Sequence, residues 1–287
     1  MAGILKALKK SFRLANPDAL PDKYRILPWA DELLTSQDVA ASGPFRCVLA
    51  LDAADLKRLE PFPERFAEDA LILNIDHHPT NTRYGTAQLI IPESAATAQL
   101  VYYLACALEV EIDEPLATCL YTGIMTDTGG FRYSNTDAEV MRIAGDLLAA
   151  GANSARLAEQ FLERMTLAQM QLLQRTLSRM RWDLDSRVAW TYVTAQDFSE
   201  TGATDADVDG LVQYALRVEG VVVGMLFRET AEKRCKISFR SRAPVDVSRL
   251  AARFGGGGHA RAAGCTVDGE LEQVVEQVRR ELFGMLT

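Results

Sequence analysis

The chain has 287 residues, of which 48% are hydrophobic and 24% charged, and its formal net charge is −8. That length suggests about two domains at roughly 150 residues each. The composition excludes a disordered or fibrous chain, and the acidic balance excludes a protein that coats nucleic acid by bulk charge.

In chain order, residues 1–13 read as the start of a basic amphipathic helix without the apolar core of a secretory signal. Within them 4–10 is helical, and 12–15 reads as a short strand. Residues 45–51 and 70–75 are apolar runs, interrupted only by Arg46 and Asn74, that lead into Asp52 and Asp76. Short apolar runs bounded by polar residues predict buried parallel strands. Helical spacing of apolar residues predicts helices over 94–108, with Ser94 as N-cap, over 115–125, and over 136–150, with Gly151 as C-cap. Strand–helix alternation of this kind predicts an α/β fold with a mainly parallel sheet. The segment 154–181 is helical and free of Gly and Pro, and is expected to connect two domains. Beyond it, 188–193, 221–228 and 233–239 alternate as strands, and 207–217, 247–254 and 270–286 read as helices. The expected division is an α/β domain over 1–153, a helical linker over 154–183 and a smaller α/β domain over 184–287. The apolar run at 220–227 falls far short of the roughly 20 residues of a membrane span. Five cysteines, none in a C-x-x-C pair, exclude a zinc ribbon or a disulfide framework and fit free thiols in a reducing cytoplasm.

Two of the three histidines are adjacent, in Asp76-His77-His78, directly after the run 70–75. In open α/β sheets, ligands bind outside the carboxyl ends of the strands. Imidazole and carboxylate together suit a transition metal such as manganese, iron or zinc. Asp52 ends the neighbouring apolar run, and Asp127 stands where a helix meets the bend Thr128-Gly129-Gly130-Phe131. A strand-end Asp alone is commonly just a helix cap. Together with two histidines, these acids point to a metal site that activates water for displacement at phosphorus.

The second signal is Phe254-Gly255-Gly256-Gly257-Gly258-His259-Ala260-Arg261-Ala262-Ala263-Gly264. Successive glycines can present backbone N–H groups to an anion. His259 and Arg261 add charge-assisted contacts, and Ser238-Phe239-Arg240-Ser241-Arg242 puts two cations at a strand end. From Arg217 to Arg261, ten Lys/Arg stand against four Asp/Glu, a net of +6, while the rest of the chain carries −14. A glycine run is ordinarily a flexible loop, and a basic stretch a solvated face. In combination with His259, Arg240 and Arg242 they point to a grip for phosphate or nucleotide.

Asp76-His77-His78, and the Gly-Gly-Gly-His run followed by Ala-Ala-Gly, resemble the two signature motifs of the DHH phosphoesterases with a DHH-associated C-terminal domain. Their order and spacing are similar to those of the nanoRNase/pAp-phosphatase (NrnA-type) group over essentially the whole chain. The resemblance implies a parallel-sheet phosphoesterase domain joined by a helical linker to a smaller substrate-binding domain. It implies that Asp52, His77 and Asp127 ligate manganese, with Asp52 bridging two ions. Asp76 would orient a ligand, and His78 would face the scissile phosphate. Arg240, Ser241, Arg242, Gly257, Gly258, His259 and Arg261 would hold the substrate. The implied activity is Mn2+-dependent hydrolysis of short oligoribonucleotides and 3′-phosphoadenosine 5′-phosphate in the cytoplasm. A cyclic di-AMP phosphodiesterase and a non-catalytic nucleotide-binding protein are the alternatives. The implied partner is a short RNA or nucleotide and no membrane, with homodimerisation left open.

One departure stands out. The family's H-x-x-P-D-x-D-x-x-G-S segment supplies a His and two Asp to the metals and has no counterpart here. Residues 16–21 lack the His, the second Asp and the Gly-Ser. The expectation is that one metal group keeps Asp52, His77 and Asp127 and the other only Asp52. The sequence from Met1 is then expected to hydrolyse phosphodiesters poorly and to aggregate.

Overall fold

In a computed structural model, which describes residues 1–40, 42–230 and 233–286, the chain divides into the units Met1–Arg164 and Met165–Thr287. The first unit opens with helix α1 (Ala2–Ala7), a short parallel pair β1 (Leu14–Ala15) and β2 (Leu33–Leu34), and helix α2 (Ser36–Val39). The two apolar runs become parallel neighbours, β3 (Phe45–Leu51) and β4 (Phe66–Asp76), and β5 (Ala87–Ile90) joins in the order β3-β4-β5. Leu51 pairs with Ile75, so both strands end level. Parallel alignment therefore delivers Asp52 and Asp76 to the same edge of the sheet.

Helices α3 (Thr97–Ala107), α4 (Glu114–Asp127), α5 (Ala138–Ala149) and α6 (Ser154–Ala158) follow. Asp113 caps α4 through the Leu116 N–H, and Asp137 caps α5 through the Val140 N–H, each side-chain oxygen accepting an otherwise unpaired donor. Leu100, Leu116, Leu120, Ile124, Ile143 and Leu147 from these helices, with Ile4 of α1, form one core. Each such buried side chain contributes roughly 1.5–3 kcal/mol. Ser94 is not the N-cap expected of it. The helix begins at Thr97, and the Gln99 side chain accepts from the Ala95 N–H at 2.8 Å. The carbonyl of Ser94 is thereby left facing His77.

The segment 154–181 is not one connecting helix. After α6 the chain makes a wide π-type turn over Glu159–Glu163 and extends at Arg164. A new helix, α7 (Leu167–Ser178), starts behind Thr166, whose hydroxyl accepts from the Gln169 N–H at 2.9 Å. Threonine favours this capping position over a helix interior, and here it breaks a run that contains no Gly or Pro.

The second unit continues with β6 (Arg181–Asp183), β7 (Val188–Val193), α8 (Ala195–Thr201), α9 (Val212–Leu216), β8 (Val223–Glu229), β9 (Arg234–Ser241), α10 (Val247–Arg253), β10 (Gly257–His259), β11 (Ala262–Asp268) and α11 (Leu271–Leu286). Among the described residues its sheet is six-stranded in the order β10-β11-β9-β8-β7-β6, with β7 and β8 parallel and the other pairs antiparallel. The helix expected over 207–217 is instead a single turn at Asp205–Val208 and then α9, with Gly210 between them at φ 82°. One sheet face buries Phe227, Phe239, Leu250, Val278 and Leu282, and a second cluster gathers Leu172, Leu211, Val212 and Leu226. The whole is an α/β architecture. No helix among the described residues is long and apolar enough to cross a membrane.

Candidate active site

Asp52 follows β3 at φ 57°, a left-handed conformation that Asp and Asn tolerate better than other side chains with a Cβ. Its Oδ1 accepts a hydrogen bond from the Thr97 hydroxyl, at the first turn of α3, at 2.7 Å. His77 is buried, and its Nδ1 lies 3.0 Å from the Ser94 carbonyl. A carbonyl only accepts, so Nδ1 carries the proton and Nε2 presents its lone pair. That Nε2 lies 3.7 Å from Asp52 Oδ1 and 3.7 Å from Asp127 Oδ2. Asp127 is the last residue of α4, and Asn135 donates to its carbonyl at 3.2 Å and to the Ala95 carbonyl at 3.1 Å.

The turn after Asp127 needs its glycine. Gly129, Gly130 and Phe131 all have positive φ, and a Cβ on Gly129 would lie 2.3 Å from the Tyr133 ring. We expect Gly129→Ala to destabilise the protein by about 2–4 kcal/mol, the strained φ and the steric overlap adding. Urea unfolding checks this, and a wild-type midpoint would show that the turn is not constrained.

Asp76 is fully buried. Its Oδ1 accepts from the His77 N–H at 2.8 Å and faces His78 Nδ1 at 2.7 Å, while Oδ2 accepts from Asn81 at 2.6 Å. Burial pushes this carboxyl up, but the hydrogen bonds from His78 and Asn81 outweigh it and hold it down at about 2. The same bond to Asp76 raises His78 above the ordinary imidazole value. Asp76 thus stays ionised and fixes the His78 ring.

The donor atoms of Asp52, His77 and Asp127 lie within 4.8 Å of one another, as do those of Asp52, Asp76 and His78. Imidazole with carboxylates is a donor set for manganese and its neighbours. Burial first, and then the charge of Asp52, push the Asp127 carboxyl up to about 6. A divalent cation would relieve that crowding, so the residues fit one. In the second group Asp76 and His78 lie beside Asp52, with His78 Nδ1 turned to Asp76.

In the second unit the glycine run is a sheet edge rather than a loop. Gly257–His259 pairs with β11, and a Cβ on Gly256 would lie 2.1 Å from the Gly264 carbonyl, one on Gly258 2.5 Å from that of Ala262. Ala262 pairs with His259 on one side and Arg240 on the other, and Gly264 likewise with Gly257 and Ser238. Cross-strand partners share a face, so His259 and Arg240 flank a strip of half-buried small residues. Ser241, Arg242 and Arg261 are engaged elsewhere. The buried Ser241 hydroxyl donates to the Val245 carbonyl at 2.6 Å, the Arg261 guanidinium donates to that same carbonyl, and Arg242 donates to the Leu216 carbonyl at 2.9 Å.

Sequence reasoning missed Thr97, Asn81 and Asn135. Asn81, three residues past His78, lay close enough to be found. Thr97 is 45 residues from Asp52 and gave no signal.

Residues 185–283 match the DHHA1 domain family. The chain is 37% identical over 286 residues to a bifunctional oligoribonuclease and PAP phosphatase NrnA of Thermus thermophilus, covering 97% of this chain and 83% of that protein. The Bacillus subtilis protein of the same name is 25% identical over 77% of this chain and 69% of its own length. The crystal structure of an exopolyphosphatase-related protein from Bacteroides fragilis superposes with a TM-score of 0.89 at 27% identity, covering 99% of this chain and 86% of that one. Likeness of this extent, on a chain whose acids and histidines meet at the ends of β3, β4 and α4, makes it a DHH-superfamily phosphoesterase of the NrnA type, a metal-dependent hydrolase.

Proposed function

We infer that this chain hydrolyses short oligoribonucleotides and 3′-phosphoadenosine 5′-phosphate with the aid of Mn2+. The observation that carries this is the convergence of Asp52, His77 and Asp127 on one point, beside Asp76 and His78. In this reading Asp52, His77 and Asp127 hold metal. When bound, the ions supply activation of water and neutralise charge on the phosphoryl oxygens. Thr97 orients the Asp52 carboxylate, and the Ser94 carbonyl sets the His77 tautomer. Asp76 accepts from His78 Nδ1 and, by raising that imidazole, favours its doubly protonated form, whose Nε2–H can donate toward a phosphate oxygen. Arg240 and His259 grip the far part of the substrate over the glycine strip, with Gly257 and Gly258 letting it approach the backbone. Ser241, Arg242 and Arg261 shape the loops around this grip. Chemistry falls to residues 1–153 and binding to 184–287, with 154–183 joining them. Free thiols at all five cysteines support a cytoplasmic setting.

The test is hydrolysis of a pentaribonucleotide and of 3′-phosphoadenosine 5′-phosphate with Mn2+ and with EDTA. Arg240→Ala and His259→Ala should each raise KM about tenfold or more, the loss of a charge-assisted bond being about 1.5–3 kcal/mol, and leave Mn2+ binding intact. Nucleotide binding without turnover in Mn2+ would make the chain a nucleotide-binding protein. Unchanged KM in both variants would leave the basic stretch as a solvated face.

A further inference from the structure

We propose that the second unit carries an additional phosphate subsite, built by Arg228, Lys236 and Ser238, that takes a distal phosphate of a substrate longer than one nucleotide. The inference rests on the oligonucleotide reading above. Strand β9 alternates: Cys235, Ile237 and Phe239 are buried on one face, and Lys236, Ser238 and Arg240 lie on the other. Arg228 of β8 is the cross-strand partner of Lys236 and shares its face. Arg228, Lys236, Ser238 and Arg240 form the sheet wall of a cavity of about 130 Å³, closed on the other side by Asp205 and Val212 among others. From Arg240 to Lys236 is four residues of strand, roughly 13 Å. A chain gripped at Arg240 and His259 therefore meets two further cations and a hydroxyl along the same face.

The state of these cations indicates an anion site. The Arg228 Nε is buried without a hydrogen-bond partner. Its guanidinium is stacked 5.1 Å from the Phe198 ring centre and paired with Asp205. The other Asp205 oxygen lies 3.7 Å from the Lys236 ammonium. One carboxylate, 68% exposed, thus sits between two cations in the position a phosphate would take. An ion pair so open to solvent holds weakly, and a phosphate offers more acceptor oxygens to the same donors. We therefore read Asp205 as an internal occupant that substrate displaces.

The measurement is fluorescence anisotropy of a labelled pentaribonucleotide in EDTA, so that binding is read without turnover. Lys236→Ala should weaken binding about tenfold, as for one charge-assisted bond. It should also reduce the slope of log affinity against log salt by about 0.7, as for one phosphate contact on a single strand. Asp205→Asn should tighten binding roughly threefold by releasing both cations. Arg253→Ala removes an equal charge from α10, where the guanidinium faces Glu281 at 2.5 Å, and should change nothing. Competition by 3′-phosphoadenosine 5′-phosphate should lose less from Lys236→Ala than RNA binding does.

Lys236→Ala behaving like Arg253→Ala overturns the subsite. So does weaker binding by Asp205→Asn, which would make the pair with Arg228 a structural tie. Wild-type protein that binds no RNA overturns it as well. If wild-type protein binds RNA in a Lys236-dependent way but hydrolyses nothing with Mn2+, the proposed activity fails and the subsite stands.

Discussion

Asp52→Asn is expected to lower Mn2+-dependent hydrolysis by about a thousandfold or more, close to 4 kcal/mol of transition-state stabilisation. Asp52 belongs to both groups of clustered donors, so its charge is felt at each. Asparagine is the conservative replacement here. It tolerates the left-handed backbone at φ 57°, and its amide oxygen can still accept from the Thr97 hydroxyl. The fold should therefore survive, and the thermal midpoint should hold or rise, because Asp127 loses a like charge 3.7 Å beyond their shared neighbour His77 Nε2. Electron paramagnetic resonance titration should show Mn2+ binding weakened in step with activity. Wild-type turnover with full Mn2+ content would remove Asp52 from the metal site.

A large effect on stability is expected in the second unit, at Asp197. It is 1% exposed. Its carboxylate accepts from Arg175 at 2.8 Å and Arg179 at 3.0 Å, with a further contact to Arg179, and from the Thr194 N–H at 2.8 Å as part of the α8 cap. Burial pushes its pKa up, but the bonds from Arg179, Thr194 and Arg175 outweigh it and hold the carboxyl well below the ordinary range. Asp197→Asn leaves the part-buried Arg179 guanidinium without its counter-charge and Arg175 with Glu200 alone. We expect a loss of about 3 kcal/mol and a fall in the melting midpoint of about 10 °C.

The pH dependence follows from the sign of that shift. A carboxyl whose pKa is lower in the folded than in the unfolded chain adds stability above the unfolded value of about 3.9 and loses it as pH falls toward the folded value. The wild-type advantage over Asp197→Asn should be full at neutral pH and shrink steadily below pH ~4. Parallel stability curves across the acid range would show that the charge contributes nothing. A measured loss under ~1 kcal/mol would class the pair with ordinary surface bridges.

The sequence by itself determined what depends on near neighbours. Apolar runs at 45–51 and 70–75 specify strands, and each run ends in an acid, so Asp52 and Asp76 were visible at strand ends without coordinates. Helical spacing located α4, α5, α10 and α11 to within a few residues. The motif at 76–78, with the glycine run far along the chain, carried the family. Tertiary structure decided whatever depends on which polar groups remain unpaired once the elements pack. Ser94 has the chemistry of a cap, yet its role is set by a carbonyl left facing His77, because Gln99 satisfied the nearby N–H instead. Glycine favours loops, yet Gly257–His259 is a strand, because β11 offers a free edge lined by small residues that admit close backbone approach. Arg240 and Arg242 look alike in sequence. Only the register shows that Arg240 shares a face with His259, while Arg242 lies past the end of the strand and bonds a carbonyl of α9. Thr166 breaks a segment that composition leaves unbroken, and Thr97 reaches Asp52 across 45 residues. A hydrogen-bond partner is chosen by position in space, and residue type limits only what each group can donate or accept.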